Sequence, residues 1–395
     1  MSLTVAMYSH DSVGLGHARR NRAIAYALAA DLPRLTGEPV GGLLIAGHPD
    51  AAQDSLPEGW DWLVLPGFTP TAAGYASRRL TLGVDQLTSL RSSTVAAALE
   101  AISPDLFIVD RHPFGVGGEL TPALRMLREH RTCTTVLGLR EVLDTPSVAQ
   151  SEWAGLGGAD AVARVYDELW IYGDDAVYDP RRTGEIPTGL IPRSRSTGYL
   201  AHGRPEDPGS PAEQPFVLTM VGGGSDGAHL ARASAAAALP SGHRHIIVTG
   251  PQMPGSDIAD LRDLAAAAEA ETLVLRHAPH VPDLIRSASA VVCMAGYNSA
   301  AEVMATSTPA LLVPRHTRRT EQLRRAQALA AVGAVDTLSA AELTPARLSS
   351  WLAEAVHRRT SRDSLDLDGL TRVGDFAADL ISATRTARLK EPTHA

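Results

Sequence analysis

The chain has 395 residues, more than one hydrophobic core usually serves, so two domains are expected. With 44% hydrophobic residues, 20% charged residues and a net charge of -8, its composition excludes a disordered, collagenous or coiled-coil protein and argues against a nucleic-acid binder, which would carry a basic face. No window approaches about eighteen consecutive apolar residues and no basic segment precedes the first apolar run, so the sequence reads as a cytoplasmic protein without a spanning helix.

Short β-rich runs alternate with alanine-rich helical stretches along the whole chain. In order, strands are expected at 3–9, 42–47, 62–67, 105–110, 134–139 and 169–173. A stretch dense in Pro, Gly and charge at 201–215 reads as a linker. Beyond it, strands are expected at 215–221, 244–250, 272–278, 290–296 and 309–315. The alternation predicts an α/β chain of two Rossmann-like, doubly wound domains, 1–200 and 216–371, with an amphipathic helix and tail at 372–395 that could pack on either. Sites of open parallel sheets form beyond the carboxyl ends of their strands, so two such domains facing across a cleft would bring their glycine turns together. Cys133 and Cys293 lie in apolar runs and read as buried thiols. Lys390 is the single lysine, and the arginine-rich remainder fits GC-rich coding better than selection for anion contacts.

Several loops carry residue types suited to chemistry. After the first strand, SHDSVGLGH places Gly14 and Gly16 where a backbone can approach an anion, and the helix beginning near His17 presents free N–H groups. His17 has the resting basicity to take a proton from a hydroxyl or water. Asp110 and His112 close the strand FIVD and stand as alternative bases or acceptor contacts. In the second half, VGGGSDG offers Gly222, Gly223, Gly224 and Ser225 as a phosphate-cradling turn. The same letters fit the G-x-S-x-G nucleophile elbow through Gly223, Ser225 and Gly227, but three consecutive glycines suit a flexible cradle better than a strained elbow. The strand AVVCM delivers Gly296 to a helix that Asn298 or Ser299 could cap, with its free N–H groups toward a phosphate. Glu302, one turn on, could accept both hydroxyls of a ribose. Arg315 ends the next strand, and Glu321 and Gln322 open a further helix that could face a sugar. Asp366 and Asp368 form an Asp-x-Asp pair in a polar stretch better read as a solvated loop, and no His/Cys spacing suggests zinc.

The series AGYNSAAEV, PALLVPR and EQLRRA resembles the donor-binding domain of family 28 glycosyltransferases, the MurG-like group, while GLGHARRNRAIAYAL and VGGGSDG are similar to that group's glycine loops. The segments DLFIVDRHPFGVGGEL and PRHTRRTEQLRRA look closer still to bacterial glycosyltransferase-like proteins. The resemblance runs in order along nearly the whole chain and implies the two-domain GT-B fold. It implies a nucleotide-sugar donor, UDP-sugar favoured. Glu302 would sit on the ribose, the turns at Gly296 to Ser299 and Gly222 to Ser225 on the diphosphate, and Glu321 and Gln322 on the donor sugar, with His17 as the glycine-loop histidine. Tyr297-Asn298 in place of a small Gly-Ala-Ser type turn, and the cluster Arg315, Arg318 and Arg319, depart from that pattern.

The expected reaction is an inverting, metal-independent transfer to a hydroxyl acceptor, with no cofactor. His17 would deprotonate the acceptor, and helix N-termini with Arg315 or Arg318 would offset leaving-group charge. The pattern Gly14, Gly16, His17, Arg20 also resembles UDP-sugar hydrolases, in which the histidine would activate water, and a non-catalytic nucleotide-sugar binder would keep the same loops. The acceptor stays open among a lipid-linked sugar, a polysaccharide end and a small natural product. Leu80, Leu82 and Val84, beside Arg78 and Arg79, leave room for peripheral membrane contact from the cytoplasmic side.

Overall fold

The computed structural model describes residues 2–12, 14–71, 74–205, 214–278, 281–315 and 319–390. Arg318 and most of the expected linker lie outside the described residues. The chain forms two compact units: Met1–Asp175, Asp179–Arg204 and Asp368–Ala395 make the first, and Ala176–Tyr178 with Pro205–Leu367 the second.

In the first unit, β1 (Leu3–Ser9) leads into α1 (Gly16–Thr36), β2 (Val40–Ala46) and β3 (Trp60–Val64). A short antiparallel hairpin follows, β4 (Phe68–Thr71) and β5 (Gly74–Ser77), then α2 (Val84–Ile102) and β6 (Leu106–Asp110). Next come α3 (Thr121–His130), β7 (Thr134–Arg140), α4 (Pro146–Gly155), α5 (Gly158–Ala163), β8 (Glu168–Tyr172) and β9 (Ser194–Ser196). The seven parallel strands run β3-β2-β1-β6-β7-β8-β9. Strands β1 and β6 are buried almost throughout, as expected of a parallel sheet covered on both faces. Helix α1 turns Ile24, Leu28 and Leu32, four residues apart, into the core and ends at Gly37, which adopts φ 74°.

The second unit contains β10 (Phe216–Met220), α6 (Ala228–Ala235), β11 (Arg244–Val248), α7 (Gly255–Ala267), β12 (Thr272–Leu275) and α8 (Val281–Ser287). It continues with β13 (Ala290–Cys293), α9 (Tyr297–Met304), β14 (Ala310–Leu312), α10 (Glu321–Ala331), β15 (Asp336–Thr337) and α11 (Pro345–Ala355). Its six parallel strands run β12-β11-β10-β13-β14-β15 around a core that includes Val217, Ile247, Val292 and Leu311. The last helix, α12 (Gly369–Lys390), returns to the first unit and packs along α1, with Gly374 closing on Asp31.

All eleven expected strands form. Those of the second unit stop earlier than expected, at Met220, Val248, Leu275, Cys293 and Leu312. Their apolar runs continue past the ladder because Val221, Met294 and Val313 stay buried in the turns. The hairpin β4–β5 and the short edge strands β9 and β15 carry no alternating signal and were not expected. Both cysteines are buried and free.

Candidate functional site

In the first unit the paired ends of β1 and β6 assemble an ionic cluster. Tyr8 lies opposite Val109 in the parallel register, so the residues leaving both strands emerge side by side. Asp110, fully buried, receives the Arg20 guanidinium on both carboxylate oxygens, each 2.7 Å from the same Nη2. His17 Nδ1 stands 3.3 Å from Asp110 Oδ2 and 3.1 Å from that Nη2. Those two neighbours demand opposite tautomers. An Nη2 nitrogen has only two hydrogens, both directed at Asp110, so the consistent arrangement has His17 Nδ1–H donating to Asp110. Its Nε2 then carries the lone pair. Burial pushes the Asp110 pKa up, but the charge of Arg20 and the hydrogen bond from His17 outweigh it and hold the carboxylate well below its usual range.

Two further histidines complete the group. The rings of His10 and His112 meet edge to face with centroids 4.1 Å apart, and His10 lies 5.0 Å from His17. Burial, reinforced by the charge of His17, holds His10 well below the ordinary imidazole range, so it stays neutral. Asp11, at φ 41°, accepts from Ser9 Oγ at 2.5 Å and from the Ala18 N–H at 3.2 Å. Its carboxylate therefore occupies the first turn of α1, where Gly14 and Gly16 were expected to receive a diphosphate; a second anion there would face Asp11. Beneath the cluster, Glu119 joins Arg91 (Nε to Oε2, 2.5 Å) and the Tyr8 hydroxyl in a buried network that fixes α2 against β1.

In the second unit, the ends of β10, β13 and β14 carry the remaining expected residues. Gly222 and Gly224 take φ 64° and 93°, and a Cβ on Gly224 would lie 2.2 Å from the Thr249 carbonyl. Gly250, leaving β11, would meet the Gly222 carbonyl at the same distance of 2.2 Å, so the two turns pack backbone to backbone. Ser225 is exposed and is not among the positive-φ residues, so the strain of a nucleophile elbow is carried by glycines rather than by the serine.

The α9 cap differs from the expectation. The N-cap is Gly296, and no side chain caps the helix; Asn298 and Ser299 lie inside the first turn. No described atom lies within 4 Å of where a Gly296 Cβ would stand, so this helix start is open. Arg325 secures it from α10, donating Nη1 to the Ala295 carbonyl at 3.0 Å and lying 5.6 Å from the Tyr297 ring centroid. Glu302 is nearly fully buried on α9, and burial followed by its charge pushes the Cys293 thiol up to about 12.

Arg315 stands between Asp226 (3.3 Å) and Glu321, and its backbone N–H donates to Gln322 Oε1 at 3.1 Å. Arg315 has its charge matched by two carboxylates, and these contacts hold Glu321 and Gln322 in place. Glu321 Oε2 is buried without a hydrogen-bond partner among the described residues. The roles of Asp226, Thr249, Gly250 and Arg325 were missed by sequence reasoning. Asp226 and Arg325 lay inside quoted motifs, VGGGSDG and EQLRRA, that could have drawn attention to them. Asp368 pairs with His202 at 2.8 Å in the first unit, and the described residues contain no cluster of metal-ligating side chains.

Residues 218–368 match the glycosyltransferase family 28 C-terminal domain. A curated relative, the UDP-N-acetylglucosamine–N-acetylmuramyl-(pentapeptide) pyrophosphoryl-undecaprenol N-acetylglucosamine transferase of Leuconostoc citreum, is 29% identical over 132 residues, 32% of this chain and 36% of that protein. Two others match over 56% and 60% of their length, so the chain spans less than two thirds of each. Acinetobacter baumannii MurG superposes with a TM-score of 0.53 at 14% identity, covering 98% of this chain and 100% of that one. The spinosyn forosaminyltransferase SpnP superposes with a TM-score of 0.58 at 14% identity, covering 99% of each chain. Residues 218–368 thus form a glycosyltransferase family 28 C-terminal domain, distantly homologous to MurG, within a chain of GT-B fold.

Proposed function

We propose that the protein is an inverting, metal-independent glycosyltransferase that moves a sugar from a nucleotide-sugar donor, UDP-sugar favoured, to a hydroxyl acceptor. The observation that carries the reading is the Asp110–His17 pair. A buried carboxylate that accepts from Nδ1 leaves Nε2 as the basic atom, the arrangement that general-base removal of a hydroxyl proton requires. Asp110 itself has no exposed surface and a guanidinium across both oxygens, so it orients His17 instead of competing with it. Arg20 positions Asp110, and His112 flanks the pair.

The donor reading rests on the second unit. The open N-terminus of α9 at Gly296 and the turn Gly222 to Ser225 offer backbone N–H groups to a diphosphate, stabilising charge as the nucleoside diphosphate departs. Asn298 and Ser299 belong to that first turn. Glu302 is assigned the ribose hydroxyls. Glu321 Oε2, buried and lacking a partner among the described residues, is suited to accept from a donor-sugar hydroxyl, with Gln322 beside it.

The test is turnover of UDP-hexoses with a panel of hydroxyl acceptors, together with the anomeric configuration of the product. His17→Ala should lower kcat by about 10²–10⁴-fold with donor affinity kept. UDP release that is as fast without acceptor as with it would replace this reading with hydrolysis, since the same dyad can activate water. Donor binding without either product would leave only a nucleotide-sugar binder.

A further inference from the structure

A cavity of about 300 Å³ opens in the first unit beyond the ends of β2 and β3. Its walls are Pro49, Val64, Leu65, Pro66 and Leu80, and Arg79 stands at the rim. The volume is at the lower end of small-molecule sites. Arg78, behind it, is committed to the backbone: Nη1 donates to Gly47 O at 2.9 Å, and Nη2 donates to Asp11 O at 2.9 Å and Ser12 O at 3.2 Å. That arginine joins the cavity wall to the loop that leads into His17. Arg79 is exposed and has no acidic partner among the described residues. Asp11 and Asp50 are the acids whose charges reach Arg78, Asp11 the more strongly, and Arg79 is the cation of the pair left exposed at the rim. His48 feels the same field, held below its ordinary range by burial first and by Arg78 next.

Register fixes how far this cavity is from the dyad. Ser9 lies opposite Ala46, and Ala46 opposite Val64, so three strand ends are level. At ~4.8 Å per strand, β3 ends roughly 10 Å from β1. A molecule two rings long, with a substituent at each end, spans about that distance.

Resting on the transferase reading above, we infer that this cavity takes the acceptor, and that the acceptor is a small apolar ring compound with an anionic substituent held at Arg79 and a hydroxyl directed toward His17. A polysaccharide end would find no apolar wall of use here, and Arg79 would have no function with a neutral ring.

The probe is 6-hydroxy-2-naphthoate, two fused apolar rings with hydroxyl and carboxylate at opposite ends, titrated into the full-length protein by its fluorescence, with 2-naphthol as the neutral control. Saturable naphthoate binding is expected, at least tenfold tighter than naphthol. Arg79→Glu should abolish that preference, and Leu80→Asp should weaken both probes at least tenfold; each side chain is exposed, and unchanged circular dichroism and melting confirm folding. Equal binding of the two probes, unaltered binding by the variants, or no saturable binding overturns the proposal. Co-sedimentation with phosphatidylglycerol vesicles, lost in Leu80→Asp, without naphthoate binding assigns the face to a lipid surface instead. Failure of the transferase reading is separate. Naphthoate bound at this cavity with no UDP release from any donor leaves a ring-binding site but removes its role as acceptor site, whereas His17-dependent turnover without naphthoate binding removes only the cavity proposal.

Discussion

Arg20 is the residue on which the dyad depends, because its guanidinium spans both oxygens of a carboxylate that has no exposed surface. Replacing it by Met should cost about 3–5 kcal/mol at pH 7, since a buried charge loses its partner. The pH dependence gives a second readout. In the wild type the Asp110 pKa is depressed, so its contribution is fully present above the unfolded value of about 4 and is lost as pH falls below it. In Arg20→Met burial acts with only His17 against it, which shifts the carboxyl upward, so the deficit should narrow between pH 7 and pH 5 in urea unfolding; a deficit constant over that range would show that Arg20 does not set Asp110. The chemistry of His17 and Asp110 was legible in the sequence as residue types, but their partnership was not. Arg20 and Asp110 lie 90 positions apart and meet only because β1 pairs with β6, a property of strand order that no local pattern encodes. Arg315 shows the converse: a cation read as free for phosphate is neutralised by Asp226 and Glu321, neighbours that composition could not reveal.

At the scale of turns and strands, the glycines separate structural from functional demands. Gly224→Ala should destabilise by about 1–3 kcal/mol, because φ 93° is strained for alanine and its Cβ would meet backbone, which cannot swing aside. Gly296→Ala should leave stability within about 0.5 kcal/mol, having open space and an extended φ of -66°, yet weaken nucleotide binding where backbone must approach phosphate. Thermal melting beside nucleoside diphosphate titration distinguishes them; equal melting losses would refute the contrast. On β11, His245 hydrogen-bonds Thr219 at 2.9 Å, and burial lowers its pKa to about 4. A depressed histidine contributes fully above the unfolded value of about 6.5 and loses that contribution as pH falls toward 4, about 3 kcal/mol in all. His245→Gln should flatten the acid limb of the stability profile across that window. The strands themselves were legible because parallel sheets buried on both faces leave continuous apolar runs. Their ends were not, since Val221, Met294 and Val313 remain apolar and buried after the ladder has stopped.

For the molecule as a whole, α12 makes the first unit depend on the last residues of the chain. Leu370, Val373, Phe376 and Ile381 are buried at helical spacing, forming a stripe that would otherwise be exposed. Four such side chains contribute about 6–12 kcal/mol as an upper bound, comparable with the 5–15 kcal/mol that holds a typical domain folded. Polar contacts add specificity: Arg385 reaches Glu38 (2.5 Å) and Asp105 (3.1 Å), and Arg372 donates to the Thr197 carbonyl at 2.6 Å. A chain ending at residue 367 keeps every residue of both sheets, so a model in which each half folds from its own contiguous sequence predicts little change. The partition of contacts predicts the opposite outcome. The first unit should lose its cooperative transition, exposing the α1 face, while the second, whose core needs nothing from α12, should persist as a protease-resistant fragment of about residues 205–367. Calorimetry and limited proteolysis of the truncated chain decide between them: retention of a cooperative transition for the first unit would show that α12 is a surface attachment and not part of its core.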